Sequence, residues 1–287
     1  MMNLFPFFSR VECLKNKLLG EIELVYNTDH TFVVCAYKES PYLEECIRSL
    51  VAQTVRSNIE IYTSTPNEHI RNIGEKYHIP VYVNEEAGQG IQADWNYAYN
   101  HAKTDYVTVA HQDDVYEPEY VRAFLKCIKT YDDWSIYYTD YTPIKHGDSS
   151  KRDVNSKIRR LLRFPVKNRR KANKIWRKKL TLCLGNSIVC PLVTYNKKRL
   201  GDTVFTSEYG FNLDWDTFYK LACQPGRFLY MDMVLGHYRV HDGATSKDFI
   251  ENHNREIEDQ SMFEKFWPKW VVKVIMVFYR LAYRTYD

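Results

Sequence analysis

Five short apolar runs, at residues 31–36, 59–64, 80–84, 106–111 and 135–139, are separated by stretches whose apolar residues recur at helical spacing. Runs of that length read as buried strands, and their alternation with helices implies parallel pairing, because a parallel neighbour is reached only through a crossover. The intervening segments 41–54, 67–77, 90–102 and 119–130 are long enough to be those crossovers, and Ser40 followed by Pro41 suits a helix start. The pattern predicts an α/β fold with a mostly parallel sheet flanked by helices. A chain of 287 residues with 45% hydrophobic content supports one large domain with appendages rather than two equal domains.

The alternation breaks at 147–179, where 14 Lys and Arg residues between Lys151 and Lys179 face a single acid, Asp153. Of 40 basic and 36 acidic residues in the chain, 26 and 35 lie outside that stretch, so the remainder carries a net charge of −9. A basic block on an acidic body predicts an anionic partner at one place. Leu161, Leu162, Phe164 and Trp176 interleave with the cations, a mixture that suits an anionic membrane surface. Nucleic acid is the less expected partner, and a solvated helical excursion fits the same stretch. After it come an apolar run at 181–195, a helix near 214–223, a strand near 228–235 and a polar loop through Ser246. In the tail, Lys269, Lys273, Arg280 and Arg284 share one helical face, and Trp270, Val274, Val277, Phe278 and Leu281 occupy another. Such a helix either packs on the domain or lies at a membrane surface. The expected division is an extension at 1–30, a main domain at 31–246 with a basic insertion at 146–180, and a helical tail at 247–287.

Seven widely spaced cysteines, mostly in apolar runs, read as buried thiols in a reducing compartment, and none has zinc-site spacing. The N-terminal apolar patch at 4–8 is too short for a signal peptide or a membrane span, so a cytoplasmic protein, peripheral to the membrane at most, is expected.

Three features carry chemistry. His111-Gln112-Asp113-Asp114 follows directly on an apolar strand, placing adjacent carboxylates at the strand's C-terminal end, where open parallel sheets bind ligands. Hard oxygen donors there suit Mg²⁺ or Mn²⁺ beside a diphosphate, although a solvated turn has the same composition. Asn212-Leu213-Asp214-Trp215-Asp216 opens a helix, where an aspartate serves either as a cap or as a general base. Gly236-His237-Tyr238-Arg239-Val240-His241 follows the last strand as a loop, with Arg239 and His241 able to share one side and Gly243 able to act as a hinge.

Together and in this order these motifs resemble the inverting family 2 glycosyltransferases of the GT-A fold, the Rossmann-like nucleotide-diphospho-sugar transferase fold, over roughly residues 31–246. The opening strand and first helix end in a Leu-x-x-Gln-Thr pattern at Leu50–Thr54, and Asn84, Gly90 and Asn96 match the approach to a second nucleotide-contacting helix. The resemblance implies Asp113 and Asp114 as metal ligands and Asp214 as catalytic base. It further implies nucleotide or diphosphate contacts at Ala36, Tyr37, Glu39, Ser64, Asp94, Gln112, Asp113, Arg239 and His241, with Trp215, Asp216 and Asn186 towards the acceptor. A nucleotide-diphosphate sugar would be the donor, a divalent metal the cofactor, and a glycan or lipid-linked saccharide the acceptor, as in surface polysaccharide assembly. The chain departs from the family at two places: Tyr62-Thr63-Ser64-Thr65-Pro66 stands where an aspartate usually ends the second strand, and His111 stands at the first acid of the metal motif. Two alternatives are an inactive scaffold that binds membrane or nucleic acid, and a nucleotidyltransferase. The latter would carry a Gly-rich, Lys-containing loop where this chain reads Cys35-Ala36-Tyr37-Lys38-Glu39-Ser40.

Overall fold

The computed structural model describes residues 29–85, 90–145, 154–240 and 254–283. Its strands are β1 (His30–Ala36), β2 (Asn58–Thr63), β3 (Val81–Val83), β4 (Tyr106–His111), β5 (Val115–Tyr116), β6 (Trp134–Lys145), β7 (Val193–Asn196) and β8 (Arg227–Val240). They form one sheet in the order β3-β2-β1-β4-β7-β6-β8-β5. The first four neighbours are parallel, as the strand–helix alternation predicts. Beyond β4 the sheet is mixed: β7 runs antiparallel to both β4 and β6, β8 lies parallel to β6, and β5 is antiparallel to β8.

Alternation along the strands builds a core on each face. Val33, Val107 and Val109 enter one core, whereas Phe32, Val34 and Ala110 enter the other. Helices α1 (Leu43–Val51), α2 (Glu68–Tyr77), α3 (Ile91–His101) and α4 (Tyr120–Ile128) are the expected crossovers, trimmed at their ends. In α1, Leu43, Cys46, Ile47 and Leu50 form the buried stripe that helical periodicity demands. In α2, Asn67 caps the start by accepting from the Ile70 N–H at 2.9 Å. Gly74 of α2 lies so close to Val81 that a Cβ would overlap the valine methyl, which seats the helix on the edge strand.

β8 corrects one expectation. Residues 236–240 are the end of this strand, not a loop, because Ile144 pairs with Arg239, Lys145 with Val240, and Val115 with His237. Gly236 is needed for close approach: a Cβ there would overlap Leu192. Gly243 and His241 lie outside the described residues.

The basic segment is not a solvated excursion. It contributes α5 (Val154–Leu162), a helical turn at Phe164–Lys167 and α6 (Ile175–Leu180). Arg163 is fully buried against Asp140 of β6 at 2.6 Å, and it also donates to the Ser187 carbonyl at 2.8 Å. Arg160 and Lys167 pair with Asp232 of β8. Lys178, also fully buried, donates to the carbonyls of Leu221, Gln224 and Gly226, and desolvation lowers its pKa to about 8. These four of the fourteen cations, two of them buried, are therefore tied to the body of the protein.

Helix α7 (Leu213–Cys223) is followed, in the tail, by α8 (Asn254–Glu264) and α9 (Lys269–Tyr283). The tail packs into the same core as the sheet, through Met262, Phe263, Val272 and Met276. The Glu258 carboxylate accepts from the N–H groups of Gly210, Phe211 and Asn212, satisfying donors where α7 begins. In α9 the tryptophan, valines and phenylalanine named above as one apolar face are not the packing face. Trp270, Val274, Val277 and Phe278 are exposed, while Val272 and Met276 turn inward. Of the cysteines, Cys46, Cys127, Cys183 and Cys190 are buried, Cys35 is partly buried and Cys223 is exposed, contrary to the expectation for it.

Candidate active site

β1 and β4 are register partners, so their C-terminal ends deliver Ala36 with Tyr37 and His111 with Gln112 to one edge of the sheet. Gln112 clasps the backbone of Tyr37 in both directions, its Oε1 accepting from the N–H and its Nε2 donating to the carbonyl, both at 3.0 Å. From β2 and α3, Ser64 donates to Asp94 at 2.9 Å, and Asn84 donates to the other oxygen of Asp94 at 3.0 Å. Ser64 and Asp94, two expected nucleotide contacts, thus form one hydrogen-bonded unit. Lys38 adopts a positive φ of 54° between them and donates its N–H to Thr65. Glu39 is exposed on the same connection.

The acidic motif occupies the turn between β4 and β5. His111, Asp113 and Asp114 offer ligand atoms that all lie within 4.8 Å of one another. The Asp114 carboxylate is buried; its Oδ1 accepts from the Arg239 N–H at 2.9 Å, and its Oδ2 has no hydrogen-bond partner among the described residues. Burial and the charge of Asp113 push the Asp114 carboxyl well above its ordinary range, opposed by the Arg239 N–H. His111 stacks on Trp95 at 4.8 Å between ring centroids, and burial lowers its pKa, keeping the imidazole neutral. Its Nε2 has no hydrogen-bond partner among the described residues either. Adjacent carboxylates, one with a buried oxygen that has no hydrogen-bond partner among the described residues, beside a neutral imidazole, are a donor set that fits a divalent cation. His111 therefore belongs with Asp113 and Asp114, although the sequence reading left metal binding to the two acids.

Arg239 braces this turn. Its Nε donates to the Asp113 carbonyl at 2.9 Å, and its guanidinium pairs with Glu45 of α1 at 2.6 Å. Gln53 braces the other side: it donates to the Glu117 carbonyl at 2.8 Å and accepts from the Val121 N–H at 3.0 Å. Glu45 carried no signal in the sequence. Gln53 was visible in the Leu50–Thr54 pattern, but its partner was not.

Asp214, half-buried in the first turn of α7, holds two hydrogen bonds: the Trp215 N–H to Oδ1 and the Asn186 amide to Oδ2, both at 2.7 Å. Burial raises its pKa to about 6, against the lowering effects of the Trp215 N–H, the Arg159 charge and Asn186. Tyr238 of β8 feels Asp114, Asp113 and Asp214 together, and its pKa is raised by burial and by all three. Cys190 likewise feels Asp214 and Asp114.

Two expected acceptor contacts are corrected. Trp215 is buried in the core, its indole donating to the Leu182 carbonyl at 3.1 Å and its ring packing edge-on to Phe263. Asp216 is buried too; burial opposes its ionisation, but Lys265 at 2.5 Å and Lys220 at 2.9 Å outweigh that and hold the carboxyl below its ordinary range. Both residues fasten α7 in place. Asn186, the third, donates to Asp214 itself.

Comparison with solved structures places this fold among GT-A proteins. Residues 1–349 of S. aureus TarS superpose with a TM-score of 0.57 at 14% identity, covering 87% of this chain and 69% of that one. The mannosyltransferase PcManGT from Pyrobaculum calidifontis, solved with GDP-Man and Mn²⁺, gives 0.56 at 14% identity over 88% and 70%. Glucosyl-3-phosphoglycerate synthase from Mycobacterium tuberculosis, solved with Mn²⁺, UDP and phosphoglyceric acid, gives 0.54 at 14% identity over 87% and 83%. Among curated proteins, glycosyltransferase GlyA of Streptococcus pneumoniae serotype 4 is 32% identical over 107 residues, which are 35% of this chain and 15% of that protein. The family model described as Glycosyl transferase family 2 matches residues 31–189, more than half of the chain and all of the acidic turn. On that match, and on the fold and site it overlays, the chain belongs to glycosyl transferase family 2.

Proposed function

We propose that the protein transfers one sugar from a nucleoside-diphosphate donor to an acceptor hydroxyl with inversion at the anomeric carbon. The observation that carries this reading is the His111, Asp113 and Asp114 donor set, whose ligand atoms lie within 4.8 Å of one another at the C-terminal end of β4. An acceptor hydroxyl beside Asp214 loses its proton to the carboxylate as its oxygen bonds to the anomeric carbon. The bond from that carbon to the diphosphate oxygen breaks in the same displacement, and the electron pair leaves with the nucleotide. A carboxyl with a pKa of about 6 is ionised at neutral pH yet more basic than an exposed aspartate. The Asn186 amide and Trp215 N–H fix its orientation.

On the donor side, Ser64, Asn84 and Asp94 form the polar cluster for the base or ribose, with Ala36, Tyr37 and Gln112 alongside. Arg239 stands at the acidic turn as the cation towards the diphosphate, with His241 two residues on in the sequence. A divalent metal held by Asp113, Asp114 and His111 would supply charge neutralisation for the departing diphosphate. Structural neighbours solved with UDP-GlcNAc, UDP or GDP-Man and Mn²⁺ support this donor class. The reading extends to a glycan or lipid-linked acceptor in surface polysaccharide assembly and to a cytoplasmic, peripheral membrane location, supported by six free thiols. No helix among the described residues is long and apolar enough to cross a membrane.

Titration calorimetry with UDP-, GDP-, CDP- and dTDP-sugars, with and without Mn²⁺, tests the proposal. Metal-dependent binding of one nucleotide class that disappears in Asp113→Ala is expected. Failure of every nucleotide sugar to bind overturns the reading.

A further inference from the structure

Helix α5 is built inside out. Its buried positions, followed into the next turn, are Ser156 and Arg163, and its solvent side carries Val154, Ile158 and Leu161, with Leu161 72% exposed. Those three residues are spaced four and three apart, so they form one stripe along the helix, and Phe164 just beyond it is exposed as well. Helix α9 presents the same pattern from the other end of the chain. Val272 and Met276 pack inward, while Trp270, Val274, Val277 and Phe278 form an outward stripe in which Trp270 is 72% exposed. A helix that needed only to cover the core would not place its larger apolar side chains in water on the opposite face.

Both helices touch the segment that carries Asn186, through residues on their inward sides. Arg163, at the end of α5, holds the Ser187 carbonyl at 2.8 Å. Tyr279 of α9 lies over Gly185, where any side chain would collide with its hydroxyl. Leu184 of the same segment is half-exposed, and Asn186 reaches inward from it to Asp214. The apolar surface thus borders the base side of the active site rather than the nucleotide side.

Charge identifies what covers it. Lys157 flanks the α5 stripe and Lys269 and Lys273 flank that of α9; all three are exposed, whereas Arg163 and Lys178 are buried. Convex apolar stripes bearing tryptophan and edged by lysine match the apolar boundary and anionic headgroups of a bilayer. We propose that the exposed apolar stripes of α5 and α9, together with Leu184, form a bilayer-docking surface that seats the base side of the site on an anionic membrane. The acceptor is then an amphiphile whose sugar hydroxyl is presented from that membrane. The acceptor half of this inference rests on the transferase reading; the docking half does not.

Flotation with vesicles of phosphatidylcholine and phosphatidylglycerol in equal parts tests it. The full chain is expected to float with the vesicles at low salt and to remain largely bound at molar salt, because apolar insertion and not lysine contact supplies most of the hold. Ile158→Glu/Leu161→Glu and Val274→Glu/Val277→Glu, all on exposed positions, are each expected to weaken partitioning about a hundredfold. Both variants should retain the nucleotide-sugar binding of the parent, which shows that they fold. A parent chain that stays with the buffer, variants that float as well as the parent, or complete release by salt would overturn the docking surface. A dimer that dissociates in the variants would overturn it in favour of a second copy. Donor binding without flotation leaves the transferase reading standing alone, and flotation without donor binding leaves the surface standing alone.

Discussion

Replacing Asp214 with asparagine should sharply slow turnover and at the same time make the protein more stable. The carboxyl's pKa rises from 3.8 to about 6 on folding, chiefly through burial. At about 1.4 kcal/mol per unit, the ionised group costs the folded state at most about 3 kcal/mol. Solvent reaching the half-buried side chain reduces this to about 1–2 kcal/mol. An acid whose pKa is raised by folding withdraws stability as pH climbs from 3.8 to about 6, and the full penalty persists above that window. Asparagine carries no charge, and its carbonyl still accepts one of the two hydrogen bonds. Thermal melts should therefore show Asp214→Asn higher than the parent by roughly 2–6 °C at about pH 8 and level with it below about pH 4. Turnover should fall about 10²- to 10⁴-fold, the usual loss on removing a general base. A variant that melts at or below the parent near pH 8, or that keeps parental turnover, would refute the assignment of a strained, buried base.

Two other perturbations probe the neighbouring structure. An imidazole donor favours Mn²⁺ over Mg²⁺ more than a carboxylate does, so His111→Asp should narrow the Mn²⁺-to-Mg²⁺ affinity ratio about tenfold, read by calorimetry and by loss of nitrogen coupling in the Mn²⁺ electron spin echo spectrum. Arg163→Met should cost about 3 kcal/mol in urea unfolding by leaving the buried Asp140 without its closest cation, and adding Asp140→Asn should recover most of it, because the penalty lies in the unpaired charge.

The parallel half of the sheet was legible because its apolar runs are continuous and its crossovers periodic; β1, β2 and β4 fall within one residue of the predicted runs. The mixed half was not. β7 is four residues inside a longer apolar run, and β8 continues through a Gly-His-Tyr-Arg stretch of loop-like composition because β5 and β6 supply partners distant in sequence. Asp113 with Asp114 and Asp214 stand out in the sequence by their positions at a strand end and a helix start, which local sequence encodes. Trp215 and Asp216 were misplaced because sequence order alone does not tell which side of a helix start faces the site. What decides it here is Phe263 and Lys265, some fifty positions later. The fate of Arg160, Arg163 and Lys167 was equally opaque, since their partners Asp140 and Asp232 belong to strands on either side of the basic segment in the sequence.

The hold of Glu258 on Gly210, Phe211 and Asn212 has a consequence for shuffling parts among such enzymes. A chimera spliced in the 241–253 connection would take its donor pocket from one parent and the latch on its base helix from another. Unless the second parent also offers a carboxylate to three successive N–H groups, the chimera would keep every residue named in its motifs and still lack the hold that fixes the start of the helix carrying Asp214.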